Sequence, residues 1–167
     1  MKTCSFFGHR NTEITPVLCK ELNLIITGLI ENGVRWFLFG SESPFEDLCL
    51  KTVTELQAKY PEIKRMYVRS RHRYIDQHTK DSLLKSYDDT LMPSGIENAG
   101  KACYVERNQA IINASDYCIF YYDVEYESPI RKQSKNPPKI GTKLAYEYAT
   151  RKKKEIINIF PCVNIRE

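Results

Sequence analysis

The order of apolar segments along the chain is the feature that most restricts its fold. Two short runs, RWFLFG (35–40) and DYCIFYYD (116–123), are apolar at most positions, which is typical of strands buried on both faces of a parallel sheet. Longer segments with helical periodicity lie between such runs, and two of them open with a capping residue and a proline, at 15–16 and 43–44. This alternation of strand and helix predicts a mostly parallel sheet with helices on both faces.

We therefore predict a single doubly wound, Rossmann-like α/β domain over residues 1–167. A helix is expected over 76–87, and 89–92 is a weaker candidate for a short strand. Neither an internal repeat nor a linker interrupts the pattern, and this length is sufficient to bury a core. The expected strands are Cys4–Phe7, Trp36–Phe39, Met66–Val68, Cys118–Tyr122 and Ile156–Phe160.

Composition and charge narrow the classes of function. The formal net charge of +4 is too small to indicate a nucleic-acid partner by itself. No apolar run approaches the roughly 20 residues of a membrane span, and the chain opens directly on a predicted strand, so we expect a cytoplasmic protein without membrane contact. The six cysteines stand singly, without zinc-ligand spacing, so buried thiols are expected and neither a metal nor another cofactor is predicted.

Polar clusters follow three of the predicted strands, and another opens the last helix. In an open parallel sheet, ligands bind beyond the carboxyl ends of the strands. An anion is favoured there because the N–H groups at helix starts are unpaired and because glycine lets the backbone approach a ligand closely. Arginine and threonine side chains can donate further hydrogen bonds to such an anion. Each cluster taken alone is also typical of an ordinary turn or cap. The predicted ligand-binding residues are Gly8, His9, Arg10, Gly40, Ser41, Glu42, Phe45, Arg107, Asn108, Asp123, Gly141 and Thr142.

The Gly8-His9-Arg10 segment and Arg107 each have an alternative interpretation. Gly8-His9-Arg10 is consistent with an anion site, but also with a turn glycine followed by solvated charge. Arg107 lies in the amphipathic segment YVERNQAIINASD, where it is either a solvated side chain or a planar donor directed at a phosphate or carboxylate.

Four blocks, CSFFGHR, FLFGSESPFEDL, ERNQAIINASDYCIFYYD and IGTKLAYEYA, together resemble the SLOG superfamily and most closely its bacterial DUF1273/YpsA-like branch. The resemblance covers nearly the whole chain. It implies a Rossmann-like fold that binds a nucleotide or a nucleotide-derived ligand, such as a relative of ADP-ribose. Because SLOG relatives often dimerise, it also makes a homodimer an expectation.

The same superfamily includes the LOG-type phosphoribohydrolases, from whose signature this chain departs. Arg107 matches the family arginine, but Asn108 replaces the lysine that follows it. Gly141-Thr142 matches the Gly-Thr step, whereas 138–140 lacks the Pro-Gly-Gly run and Ala145 stands where the resemblance implies the catalytic glutamate. Hydrolysis of an N-glycosidic bond needs a carboxylate at the ribose. The candidates for catalysis are Arg107, Glu106 and Glu46, with Glu42 as a further carboxylate.

Three functions therefore stay open on the sequence. The favoured one is a sensor or carrier of a nucleotide-derived small molecule, and the first alternative is an N-glycosidic hydrolase or transferase acting on a nucleoside monophosphate. The second alternative is a nucleic-acid-binding module like the superfamily member DprA, supported by the basic and aromatic run KRMYVRSRHRY (64–74). This run leaves a strand at its carboxyl end, so Arg69, Arg71 or Arg73 is also a possible contact for the same small anion.

Overall fold

The computed structural model describes residues 1–41, 43–126 and 141–160. Within them, six parallel strands form one sheet in the order β4-β3-β2-β1-β5-β6. The strands are β1 (Lys2–Gly8), β2 (Val34–Phe39), β3 (Lys64–Val68), β4 (Asp89–Leu91), β5 (Tyr117–Tyr121) and β6 (Glu155–Asn158). The helices between them are α1 (Pro16–Glu31), α2 (Pro44–Leu56), α3 (Gln77–Leu83), α4 (Cys103–Ala114) and α5 (Gly141–Arg151), with a short 3-10 turn at Gly100–Ala102. The predicted doubly wound α/β fold is confirmed.

Side-chain caps fix the starts of the helices that the sequence indicated. Thr15 Oγ1 accepts a hydrogen bond from the Leu18 N–H at 3.1 Å, and Ser43 Oγ accepts one from the Glu46 N–H at 3.1 Å. In both helices proline occupies the first turn, where its missing N–H removes no helical hydrogen bond. Helix α3 is shorter than the predicted 76–87 because none of its residues is buried, so no packing extends it.

Neighbouring residues of the central strand enter two separate cores. Phe6 of β1 packs in the core that contains buried residues of α1 and α2, whereas Phe7 packs in the core that contains those of α4 and α5. Because side chains alternate along a strand, the adjacent apolar residues Phe6 and Phe7 enter opposite layers. This arrangement confirms helices on both faces of the sheet.

The sheet order determines which strand ends lie side by side. After β4 the chain returns across the sheet, and β5 pairs with the free side of β1, with Phe6 opposite Ile119. The winding direction therefore reverses between β1 and β5, and the carboxyl ends of β2, β1 and β5 lie side by side. In open α/β sheets, ligands bind outside such a reversal point.

Four of the described cysteines, Cys4, Cys49, Cys103 and Cys118, are buried free thiols. Burial raises the pKa of Cys4 and Cys49 well above the usual range of a thiol. In residues 1–41, 43–126 and 141–160, no group of three or more His, Cys, Asp or Glu side chains is placed to hold a metal ion. No helix in that part of the chain is both long enough and apolar enough to cross a membrane.

Candidate functional site

Gly8 ends β1 against the first turn of α2. A Cβ atom built on Gly8 would lie 2.5 Å from the Cβ of Phe45, closer than real Cβ contacts permit. Phe45 is completely buried and also contacts the ring of Tyr121, with 5.7 Å between ring centroids. The sequence assigned Gly8 and Phe45 to ligand binding. In the structure they contact each other, and the missing side chain of Gly8 makes room for a helix.

His9 is the buried polar side chain at the end of β1. Its Nε2 accepts a hydrogen bond from the Asp123 N–H at 2.9 Å, and its ring stacks on Tyr126 with 4.0 Å between centroids. Burial lowers the pKa of His9, and an Nε2 that accepts leaves the proton of the neutral ring on Nδ1. The buried Nδ1 has no hydrogen-bond partner within the described residues. Arg10, by contrast, is exposed.

The loop after β2 directs its backbone N–H groups at a carboxylate of the same chain. The N–H groups of Gly40 and Ser41 both donate to Glu46 Oε1, and the Ser41 N–H also lies 3.0 Å from Oε2. The Ser41 hydroxyl donates to Glu46 Oε2 as well. The sequence predicted that these N–H groups bind a phosphate, but in the structure they donate to Glu46. Glu42, the other candidate in this loop, lies outside the described residues.

Glu46 is an unusual carboxyl group because it is only 3% exposed. Burial raises its pKa to about 7, against the opposing effects of the hydrogen bonds from Ser41 and Gly40 and of the positive charge on Arg107. Near neutral pH both its protonated and its ionised forms are therefore populated.

Arg107 of α4 reaches the same loop and is 5% exposed. A Cβ on Gly40 would lie 3.0 Å from Arg107 Nε and 3.1 Å from its Cδ, so the absence of a side chain at Gly40 admits the arginine. Arg107 Nε and Nη2 donate to Asn108 Oδ1 at 3.3 and 3.2 Å. Among the described ion pairs, none joins Arg107 to a carboxylate within 4.0 Å. The interpretation of Arg107 as a solvated side chain is wrong.

The start of α5 forms the last part of this edge. Gly141 is exposed and Thr142 is half-buried, and the preceding residues 138–140 lie outside the described part of the chain. Ala145, which stands at the position of the hydrolase glutamate, is buried in the core. Glu147 is exposed instead, and its Oε1 lies 4.0 Å from Lys143 Nζ. Glu106, the remaining catalytic candidate, is half-buried on α4.

Two aromatic residues that the sequence did not single out belong to the site. Tyr104 lies between two cations, with its ring centroid 4.9 Å from the guanidinium carbon of Arg71 and 5.5 Å from that of Arg107. Its spacing of three residues from Arg107 on one helix is the signal that could have identified it. Tyr126, which stacks on His9, lies in an irregular polar loop without periodicity, so no sequence signal indicated it.

Three comparisons with known proteins concern the family and the fold of this chain. The model of the YspA SLOG family matches residues 3–159. UPF0398 proteins from Streptococcus pyogenes strains NZ131 and Manfredo are 31% identical to this chain over 55 residues, which is 33% of this chain and 32% of each relative. The aligned region therefore spans about a third of the length of these curated relatives.

A solved structure of DNA processing protein A from Helicobacter pylori, described for its single-stranded DNA binding mode, has a similar fold. The superposition has a TM-score of 0.56 and 13% sequence identity, and it covers 93% of this chain and 63% of that chain. This chain thus corresponds to less than two thirds of the other. At such low identity the likeness concerns the fold alone.

Proposed function

The chain belongs to the YspA SLOG family, and from that premise we propose that it binds a phosphate-bearing ligand of the nucleotide class at the carboxyl edge of its sheet. It acts as a sensor or carrier rather than as a catalyst. The single observation that carries this proposal is Arg107, a buried guanidinium that none of the described ion pairs joins to a carboxylate.

A buried cation is costly unless an anion compensates it. The nearby Glu46 compensates Arg107 only in part, because its pKa of about 7 leaves it partly protonated and its oxygens accept from Gly40 and Ser41. A phosphate at this edge would supply the missing negative charge through charge-assisted hydrogen bonds. The buried His9 Nδ1 is a further donor at the same edge, without an acceptor in the described residues.

The environment of the carboxylates favours binding over N-glycosidic hydrolysis. A hydrolase needs a carboxylate at the reacting ribose, either to stabilise developing charge or to activate water. Ala145 supplies none, and Glu46 is held by the Gly40-Ser41 loop. We therefore expect incubation with adenosine 5′-monophosphate to release little or no adenine.

Calorimetric titration with adenosine 5′-monophosphate and with ADP-ribose tests the proposal. Loss of a charge-assisted contact predicts that Arg107→Ala weakens binding about ten- to a hundredfold. Arg151→Ala is the matched control, since it removes an exposed arginine at the far end of α5. Unchanged affinity in a folded Arg107→Ala variant would contradict the proposal. Adenine release that is abolished by Arg107→Ala would make the protein an enzyme.

Binding of single-stranded nucleic acid is a second candidate, favoured by one observation. Tyr74 is 87% exposed and directly follows the basic loop that contains Arg71 and Arg73. Exposed aromatic rings beside cations are the usual platform for stacked bases. The fold neighbour from Helicobacter pylori is described as binding single-stranded DNA, which supports the same test. Fluorescence anisotropy with a labelled oligothymidylate, compared between wild type and Tyr74→Ala, distinguishes this candidate.

A further inference from the structure

We infer that a cavity lined by Arg71 takes a second phosphate group of the same ligand, so that the protein selects doubly phosphorylated nucleotides. This inference rests on the proposed function. The cavity has a volume of about 540 Å³ and lies beyond the carboxyl end of β3, where the loop after that strand faces the residues before α4.

The lining of this cavity is strongly cationic. Arg71, Arg73 and Lys101 contribute positive charge to it, against Glu97 as the acidic residue of the lining. Glu97 forms an ion pair with Arg73, so it does not compensate the other cations. The described ion pairs include none for Arg71 or Lys101. The cavity therefore carries uncompensated positive charge, which is suited to a phosphate.

The loop that presents these cations has a fixed conformation. Arg69 Nη1 donates to the carbonyl oxygens of His72 at 2.6 Å and Arg73 at 3.2 Å. His72 has a φ of 57°, a left-handed conformation that is uncommon for a residue other than glycine. Because Arg69 holds the backbone of this turn, the backbone that carries Arg71 has less conformational freedom to lose on binding.

Tyr104 connects the cavity to the site of the proposed function. Its ring contacts the guanidinium groups of both Arg71 and Arg107, which places the two guanidinium carbons at most about 10 Å apart. One nucleotide with two phosphate groups can therefore contact both arginines. A monophosphate held at Arg107 would leave Arg71 without its anion.

The test compares adenosine 5′-monophosphate, ADP and adenosine 3′,5′-bisphosphate by calorimetry at constant ionic strength. We expect at least one of the two doubly phosphorylated ligands to bind wild type about tenfold more tightly than the monophosphate, as one further charge-assisted contact predicts. The ligand that shows this gain reports whether the two phosphates are adjacent or on separate ribose positions. Arg71→Ala should abolish the gain, so that the doubly phosphorylated ligand binds the variant no more tightly than the monophosphate does.

Two further variants separate the possible failures. Lys80→Ala removes an exposed cation of α3 and should preserve the gain, whereas Arg71→Lys should restore part of it. If the monophosphate binds through Arg107 but the second phosphate adds nothing, or adds as much in Arg71→Ala, this inference is overturned while the proposed function stands. If neither these three ligands nor ADP-ribose binds, both are overturned.

Discussion

Glu46 makes the stability of this fold decrease as the pH rises. Burial raises its pKa from 4.5 to about 7 in the folded chain, so the folded state retains a proton that the unfolded state releases between these values. The unfolding free energy contributed by this group is therefore highest below pH 4.5 and falls until about pH 7. One unit of pKa difference corresponds to about 1.4 kcal/mol, so the total change is about 3 kcal/mol.

The substitution Glu46→Gln removes this dependence because an amide does not ionise in that range. Its oxygen can still accept from the Gly40 N–H, although the match to Ser41 is poorer, which adds a constant destabilisation. Relative to that of wild type, the unfolding free energy of the variant should rise by about 3 kcal/mol between pH 4.5 and 7.5. For a domain of this size, this corresponds to roughly 6–12 °C in Tm.

Urea unfolding followed by circular dichroism at pH 4.5, 6.0 and 7.5 measures this difference. Glu147→Gln, which removes an exposed carboxylate from α5, controls for the loss of one negative charge. A difference between Glu46→Gln and wild type that stays constant over the three pH values would refute the reasoning.

Two further predictions concern the end of β1. Gly8→Ala should destabilise the fold by about 1–3 kcal/mol, since its new methyl group overlaps Phe45. Gly28→Ala, in the interior of α1, adds a methyl group that meets no atom within 4 Å and should stabilise the fold by about 0.5–1 kcal/mol. Urea unfolding of the two variants checks both signs. The folded-state pKa of His9 is lowered, so its contribution to stability is present above about pH 6.5 and lost as the pH falls. In a Glu46→Gln background, we expect His9→Gln to reduce the loss of unfolding free energy at acidic pH. If the unfolding free energy falls equally with and without His9, the ring of His9 is not held neutral by burial.

The fold was predictable because its central strands are apolar on both faces. RWFLFG and DYCIFYYD have no polar face to turn toward water, so they require helices on both sides. The short strand Asp89–Leu91 was a weak candidate because it lies at the sheet edge and has no buried residue. The predicted strand Ile156–Phe160 is observed as Glu155–Asn158, a shift at the boundary that an apolar pattern does not resolve.

The site was less predictable because the role of a glycine depends on residues far along the chain. Gly8 accommodates Phe45 and Gly40 accommodates Arg107, and neither partner can be identified from local spacing. The role of Glu46 did have a local signal. Ser43-Pro-Phe-Glu46 has the spacing of a capping box, in which the glutamate side chain folds back onto N–H groups before the helix. Here it reaches past the cap to the loop after β2.

The return of the chain from β4 to β1 also determines the order in which the protein can assemble during synthesis. Strands β1 to β4 are complete by Leu91, but the second side of β1 has no partner until β5 is made at Tyr117–Tyr121. At roughly 5–20 residues per second, the ribosome needs on the order of one to five seconds for that interval. Until α4 is made within that interval and α5 after it, the chain contains no helix to cover the apolar face with Phe7, Leu38 and Met66. The nascent chain therefore passes through a stage in which one side of its central strand is unpaired, and unpaired strand edges of this kind favour aggregation.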